Sequence, residues 1–190
     1  MHRHFIVHKP FGYLSQFVAN GKTKSRHKYL GELHGFPEGT MSIGRLDISS
    51  EGLLFLTTDG QMSHEVRSKK VEKEYYVQVD GIITSEALIQ LKEGIEITTD
   101  FGPYTTLPAN VKIIEDPNFG ERLTRKVRDD RHGPTSWISV IISEGKFRQV
   151  RKMTAAVGFP TLRLVRVRIG QIKLEGLALG EVKEVDHLLK

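Results

Sequence analysis

The sequence predicts an α+β protein whose sheet is largely antiparallel or mixed. Segments with strand patterning outnumber helical ones, and the two kinds do not alternate one for one as a doubly wound parallel sheet requires. The 190 residues suffice for one compact domain with a real core, or for two small lobes sharing one. Apolar residues at 38% and charged residues at 27% are too balanced for a disordered chain, so the segments should fold.

Phe5 to Val7 reads as a short strand, ended by His8, Lys9, Pro10 and Gly12, and Tyr13 to Val18 is extended again. Residues 19–42, rich in Gly, Lys, His and Pro, form a connection with helical character around Tyr29 to Leu33. Leu53 to Thr57 is an apolar run between Gly52 and Asp59-Gly60, the mark of a buried strand. Thr58 or Asp59 then caps a helix through Ser68. Glu72 to Asp80 alternates, with Lys73, Tyr75, Val77 and Val79 on one face and Tyr76, Gln78 and Asp80 on the other. Thr84 or Ser85 caps a helix through Lys92, and Gly94 ends it.

Strands follow near Ile95 to Thr98, Tyr104 to Leu107 and Val111 to Glu115. Asp116 to Thr135 is polar and basic, a loop or hairpin insertion expected to contact a partner. Trp137 to Ser143 is a strand, Glu144-Gly145 a turn, and Phe147 to Val157 a helix that Gly158 and Pro160 close. Thr161 to Ile169 is a strand in which Arg163, Arg166 and Arg168 give one basic face.

Composition narrows the chemistry. No apolar stretch approaches the roughly eighteen residues that cross a bilayer, and no signal region follows the first strand. With no cysteine, disulfides and thiolate metal sites are excluded. A cytoplasmic protein of bacterial type is expected. The net charge of +5 is modest, but its distribution is uneven. Between Gly145 and Lys173 stand Lys146, Arg148, Arg151, Lys152, Arg163, Arg166, Arg168 and Lys173, with no acid among them. Lys22, Lys24, Arg26 and Lys28 form a second cluster, and Arg122 to Arg131 a third. Such clustering is the footprint of a nucleic-acid binder, although solvated basic faces fit the charge equally.

None of the eight histidines falls in H-E-x-x-H, so no metal site is expected. Phosphate loops, dinucleotide turns and nucleophile elbows are missing too. Asp47 stands out in "GRLDISSEGLLFLTTDG", Gly44 to Gly60, two residues after Arg45 and ahead of the buried strand. It fits a loop carboxylate held ionised for catalysis or a surface turn aspartate paired with Arg45. Tyr75 fits core packing or a stacking platform in a cleft. In "EGKFRQVRKM", Glu144 to Met153, cations open a helix against its dipole, so an anionic partner is called for.

These three pieces in this order resemble the RsuA family of pseudouridine synthases, a family that also contains several large-subunit rRNA enzymes. The first is similar to the motif around their catalytic aspartate, "EKEYYV" (Glu72 to Val77) to their tyrosine motif, and "EGKFRQVRKM" to their basic motif. "HKPFGYLSQF" and "RVRIGQIKLEGLALGEVKEV" extend the likeness to nearly the whole chain, and "YLSQF" with "SSEGL" is most like a subgroup acting on large-subunit rRNA. The resemblance implies two lobes around a cleft, a mixed, mainly antiparallel central sheet flanked by helices, and isomerisation of a flipped-out rRNA uridine without a cofactor.

The resemblance also implies site residues. Asp47 would be the catalytic carboxylate, Tyr75 would pack on the target base, and Arg151, with Lys146 as competitor, would pair with Asp47. Arg45, Lys146, Arg148, Gln149 and Lys9 would contact RNA. Many relatives begin with a separate RNA-binding domain. Here the first catalytic motif starts by residue 8, so a single catalytic domain over 1–190, acting as a monomer on rRNA or on an immature large ribosomal particle, is expected. A catalytically silent RNA-binding protein and an N-glycosidase are the competing functions.

Overall fold

The strand expected at residues 5–7 extends to β1 (His4–Lys9), and a pair of two-residue strands follows, β2 (Tyr13–Leu14) and β3 (Lys28–Tyr29). The computed structural model of the protein describes residues 2–18, 27–68, 71–120 and 132–189. The chain divides into two compact units, Met1–Val71 with Val165–Lys190, and Glu72–Leu164. Lys22, Lys24 and Arg26 of the second basic cluster, and residues 121–131 of the expected insertion, lie outside the described residues.

The first unit continues with β4 (Met41–Ile43), β5 (Glu51–Thr57) and α1 (Gly60–Ser68). All seven residues of β5 are buried, as its unbroken apolar run requires of a strand covered on both faces. β1 lies antiparallel to β5, with Lys9 opposite Gly52, and β4 pairs with the C-terminal half of β5. The N-terminus of α1 is capped by Asp59, whose Oδ1 accepts from the Gln61 N–H at 2.8 Å and the Met62 N–H at 3.3 Å. Those bonds, the Met62 one foremost, hold the Asp59 carboxyl below the usual range.

In the second unit β6 (Lys73–Asp80) and α2 (Ser85–Glu93) match the expected elements. Thr84 caps α2 by accepting from the Ala87 N–H at 3.3 Å, and Gly94 ends it with φ of 103°. β7 (Glu96–Thr99) and β8 (Gly102–Thr105) form a hairpin, and β9 (Asn110–Ile114) follows. β10 (Thr135–Ile142) runs antiparallel between β6 and β9. α3 (Gln149–Ala156) packs on β7. β11 (Thr161–Ile169) carries the chain back into the first unit. There Val165 and Arg166 pair in parallel with Glu51 and Gly52 of β5, β12 (Ile172–Lys173) folds back on β11, and β13 (Val182–Val185) lies antiparallel to β1. The result is an α+β protein with a mixed, mainly antiparallel sheet.

Four expectations are corrected. Extended structure after Tyr13 ends at Leu14, and the connection at 19–42 ends in the strand β4, whose three residues are too few for a period. α3 starts at Gln149 and not Phe147, because Arg148 takes up the left-handed conformation (φ 54°, ψ 31°), which a helix cannot include. The arginines of β11 do not make the one basic face expected, since Arg163 and Arg166 are an odd number of residues apart on the strand. Arg163 and Arg166 are both buried, with the Arg163 guanidinium on the Gly120 carbonyl at 2.7 Å and over the Phe119 ring.

Gly52 permits the β5–β11 pairing. Its φ is 108°, and a Cβ there would run into the Arg166 carbonyl and amide. Gly52→Ala should therefore lower stability by about 2–4 kcal/mol in denaturant unfolding. Gly60→Ala, at a helix start with open space around it, should change it by less than about 0.5 kcal/mol.

Candidate active site

In the first unit the backbone around Asp47 is pinned from several directions. Gly44, with φ of 69°, turns the chain out of β4, after which Arg45 is exposed, Leu46 buried and Asp47 half-buried. The buried Ser15 hydroxyl donates to the Leu46 carbonyl at 2.8 Å and accepts from the Leu46 N–H at 3.0 Å. The Gly12 N–H donates to the Ile48 carbonyl at 2.8 Å, and the Ser50 N–H to that of Asp47 at 3.0 Å. A further bond, from the Ser42 hydroxyl to the Ser15 carbonyl at 3.3 Å, ties β4 to the same segment. Both residues flanking Asp47 are thus held by their backbones.

The same unit contains a set of buried charges. Lys9 is fully buried, Glu51 is 1% and Arg166 4% exposed. The Lys9 ammonium donates to the Pro10 carbonyl at 3.0 Å and the Tyr13 carbonyl at 2.7 Å, closing the loop between β1 and β2. Arg166 Nε donates to the Leu53 carbonyl at 2.7 Å. Burial pushes the Lys9 pKa down to about 7; the charges of Glu51 and Asp47 favour its ammonium and that of Arg166 opposes it. Lys9 therefore does not fit the expected role of an RNA contact: it is interior, and its ammonium is engaged by the chain's own carbonyls.

The second unit carries the other expected residues. Tyr75 is buried on the inward face of β6 with Val77 and Val79. Arg151, half-buried on α3, lies with Nη1 3.5 Å from the Thr161 carbonyl. Lys146 and Arg148 are exposed, but on a turn ahead of α3 and not within it. Gln149, expected to contact RNA, is buried and closes that turn: its Oε1 accepts from the Lys146 N–H at 3.0 Å and its Nε2 donates to Glu144 at 2.6 Å. Glu144 also accepts from the Tyr104 hydroxyl at 2.6 Å and the Leu107 N–H at 2.9 Å, and its bond to the hydroxyl raises the Tyr104 pKa. The Lys146 ammonium sits 4.4 Å from the centre of the Tyr104 ring, within cation–π range.

The chain belongs to the RNA pseudouridylate synthase family, whose model matches residues 3–156, and is an enzyme of that class. It is 40% identical over 182 residues to the ribosomal large subunit pseudouridine synthase E of Vibrio parahaemolyticus, covering 95% of this chain and 72% of that one. To the protein of the same name from Xanthomonas axonopodis it is 42% identical over 176 residues, covering 91% and 88%. A crystal structure of a pseudouridylate synthase superposes with a TM-score of 0.76 at 27% identity, covering 97% of this chain and 70% of that one.

Sequence reasoning missed Ser15, Glu51, Arg166 and Glu144 as structural parts of these two assemblies. All four lie inside quoted segments, and for Glu51 and Glu144 an acid beside an apolar run or within a basic motif was a usable signal of a partner. Ser15 and Arg166 gave none, since a hydroxyl's or guanidinium's partner is a tertiary matter.

Two tests follow from the first unit. Ser15→Ala strands the Leu46 N–H and carbonyl in a buried position and should cost about 2 kcal/mol or more in denaturant unfolding. For Lys9 the folded pKa lies below the unfolded one. Between about pH 7 and pH 10 the unfolded chain therefore binds the proton that the folded chain releases, and this group adds stability as pH rises. Denaturation across that range should show the wild type gaining on Lys9→Met, whose stability lacks the increment.

Proposed function

We propose that this protein isomerises a specific uridine of large-subunit ribosomal RNA to pseudouridine, with Asp47 as its catalytic carboxylate. The observation that carries this reading is the likeness to two large-subunit enzymes across 95% and 91% of the chain, in which Asp47 stands in the quoted aspartate motif.

In this reaction the bond from uracil nitrogen 1 to the sugar breaks, the base turns, carbon 5 bonds to the same sugar carbon, the proton on carbon 5 leaves, and nitrogen 1 takes up a proton. Glycoside hydrolysis deploys two carboxylates because its leaving group is poor and water must be activated. Uracil is stabilised by its own carbonyls and is retained, so one carboxylate suffices where water is excluded. The ionised Asp47 oxygen either attacks the sugar or removes a sugar proton; both routes need a fixed carboxylate, and the pinned backbone supports that. Tyr75 packs on the base and assists removal of the carbon 5 proton.

Arg151 serves as the cation for Asp47. Its competitor Lys146 has its ammonium over the Tyr104 ring, which favours that choice. Arg45, exposed two residues before Asp47, contacts RNA or fills the place of the flipped base, and Lys146 and Arg148 meet phosphates. The enzyme acts in the cytoplasm as a monomer without a cofactor, on naked rRNA or on an immature large ribosomal particle.

Tritium release from rRNA labelled at uridine carbon 5 tests the reading, on naked RNA and on immature large ribosomal particles. Wild type should release label without free uracil, and Asp47→Asn should be slower by at least about a thousandfold. Free uracil would indicate glycosidase chemistry, and no release from either substrate would favour binding alone.

A further inference from the structure

Phe101 and Phe147 are large apolar side chains of the second unit that the protein leaves in water. Phe101 is 102% exposed at the tip of the β7–β8 hairpin, and Phe147 is 64% exposed on the turn before α3. An exposed phenylalanine gains nothing from the hydrophobic effect, so two of them on one unit, one with an ammonium over its ring, are informative.

Both sit on braced structure. At the hairpin tip the Thr99 hydroxyl donates to the Gly102 carbonyl at 2.8 Å and accepts from the Phe101 N–H at 3.2 Å. The turn bearing Phe147 is closed by Gln149, and its left-handed Arg148 is exposed. The two segments are tied by one carboxylate: Glu144, from the turn, accepts from the Tyr104 hydroxyl and from the Leu107 N–H that follows the hairpin. Cations accompany Phe147 and the neighbouring Tyr104, with the Lys152 ammonium 5.3 Å from the centre of the first ring and that of Lys146 4.4 Å from the second.

We propose that Phe101 and Phe147, presented by the hairpin and turn that Glu144 ties together, form a stacking surface for unpaired nucleotides of the RNA flanking the target uridine. The naming of RNA as partner rests on the isomerase reading. Every base offers a π-face, so exposed rings take unpaired bases without regard to sequence, and nearby ammonium groups take the phosphates between them. A duplex buries its base faces and gains only the phosphate contacts. The exposed acid Asp100 beside Phe101 opposes phosphates at the hairpin tip, so that tip contributes stacking and not charge.

The probe is a fluorescein-labelled single-stranded adenosine dodecamer, read by anisotropy and compared with the same strand in a duplex. It contains no uridine and asks nothing of Asp47. Wild type should bind the single strand more tightly than the duplex. Phe101→Ala and Phe147→Ala should each weaken single-strand binding about fivefold or more at unchanged duplex affinity, unchanged melting temperature and unchanged salt slope, while Phe101→Trp and Phe147→Trp retain it. Failure of wild type to bind the single strand, wild-type binding by the double alanine variant, or equal losses on single strand and duplex would each overturn the proposal. Failure of the isomerase reading would thus appear in tritium release alone, and failure of the stacking surface in this assay.

Discussion

The hydroxyl of Ser15 on both backbone groups of Leu46 is the contact on which the placing of the Asp47 backbone most depends. A loop carboxylate is useful only if its backbone holds to a fraction of an ångström, and loops have few apolar contacts to hold them. The chain solves this with polar bonds. Ser15 satisfies donor and acceptor of the residue before Asp47, the Gly12 amide takes the carbonyl of the residue after it, and the Ser50 amide closes the turn. The opening motif and the aspartate motif are thereby one structure, although more than thirty residues separate Gly12 from Asp47 in the chain.

In the same unit the protein keeps Lys9, Glu51 and Arg166 out of water, an arrangement that stability alone does not favour, since burying charges costs more than packing apolar groups of the same volume. The charges do specific structural tasks. Lys9 gathers two carbonyls of the β1–β2 loop, and Arg166 reaches the Leu53 carbonyl on β5 from the point where Gly52 lets the strands approach. Burial lowers the Lys9 pKa, and the charges of Glu51 and Asp47 work against that lowering while that of Arg166 adds to it.

The second unit is organised around Glu144 in a comparable way. A single acid in a basic motif gathers a tyrosine hydroxyl, a backbone amide and the Gln149 amide, leaving Lys146, Phe147 and Arg148 facing outward. The left-handed Arg148 costs on the order of 1 kcal/mol, and such strain persists where its surroundings determine it. Here Gln149 closes the turn through its side chain and its own N–H, which donates to the Lys146 carbonyl.

What the sequence by itself determined was periodic or motif-bound. The alternation of Glu72 to Asp80, the apolar run of β5, the Thr84 cap and Gly94 stop of α2, and the span of β11 were legible because local backbone preference and side-chain period specify them. The family was legible because three motifs occur in order. The partners of polar side chains were decided by tertiary structure. Lys9 and Gln149 read as RNA contacts because a charged or amide side chain in a motif carries no mark of which way it faces. Arg163, Arg166 and Arg168 read as one basic face, but Arg163 and Arg166 are an odd number of residues apart on the strand, and both are buried. Whether a cation meets water, a carbonyl or a carboxylate depends on chain segments distant in sequence, and only the folded chain brings those together.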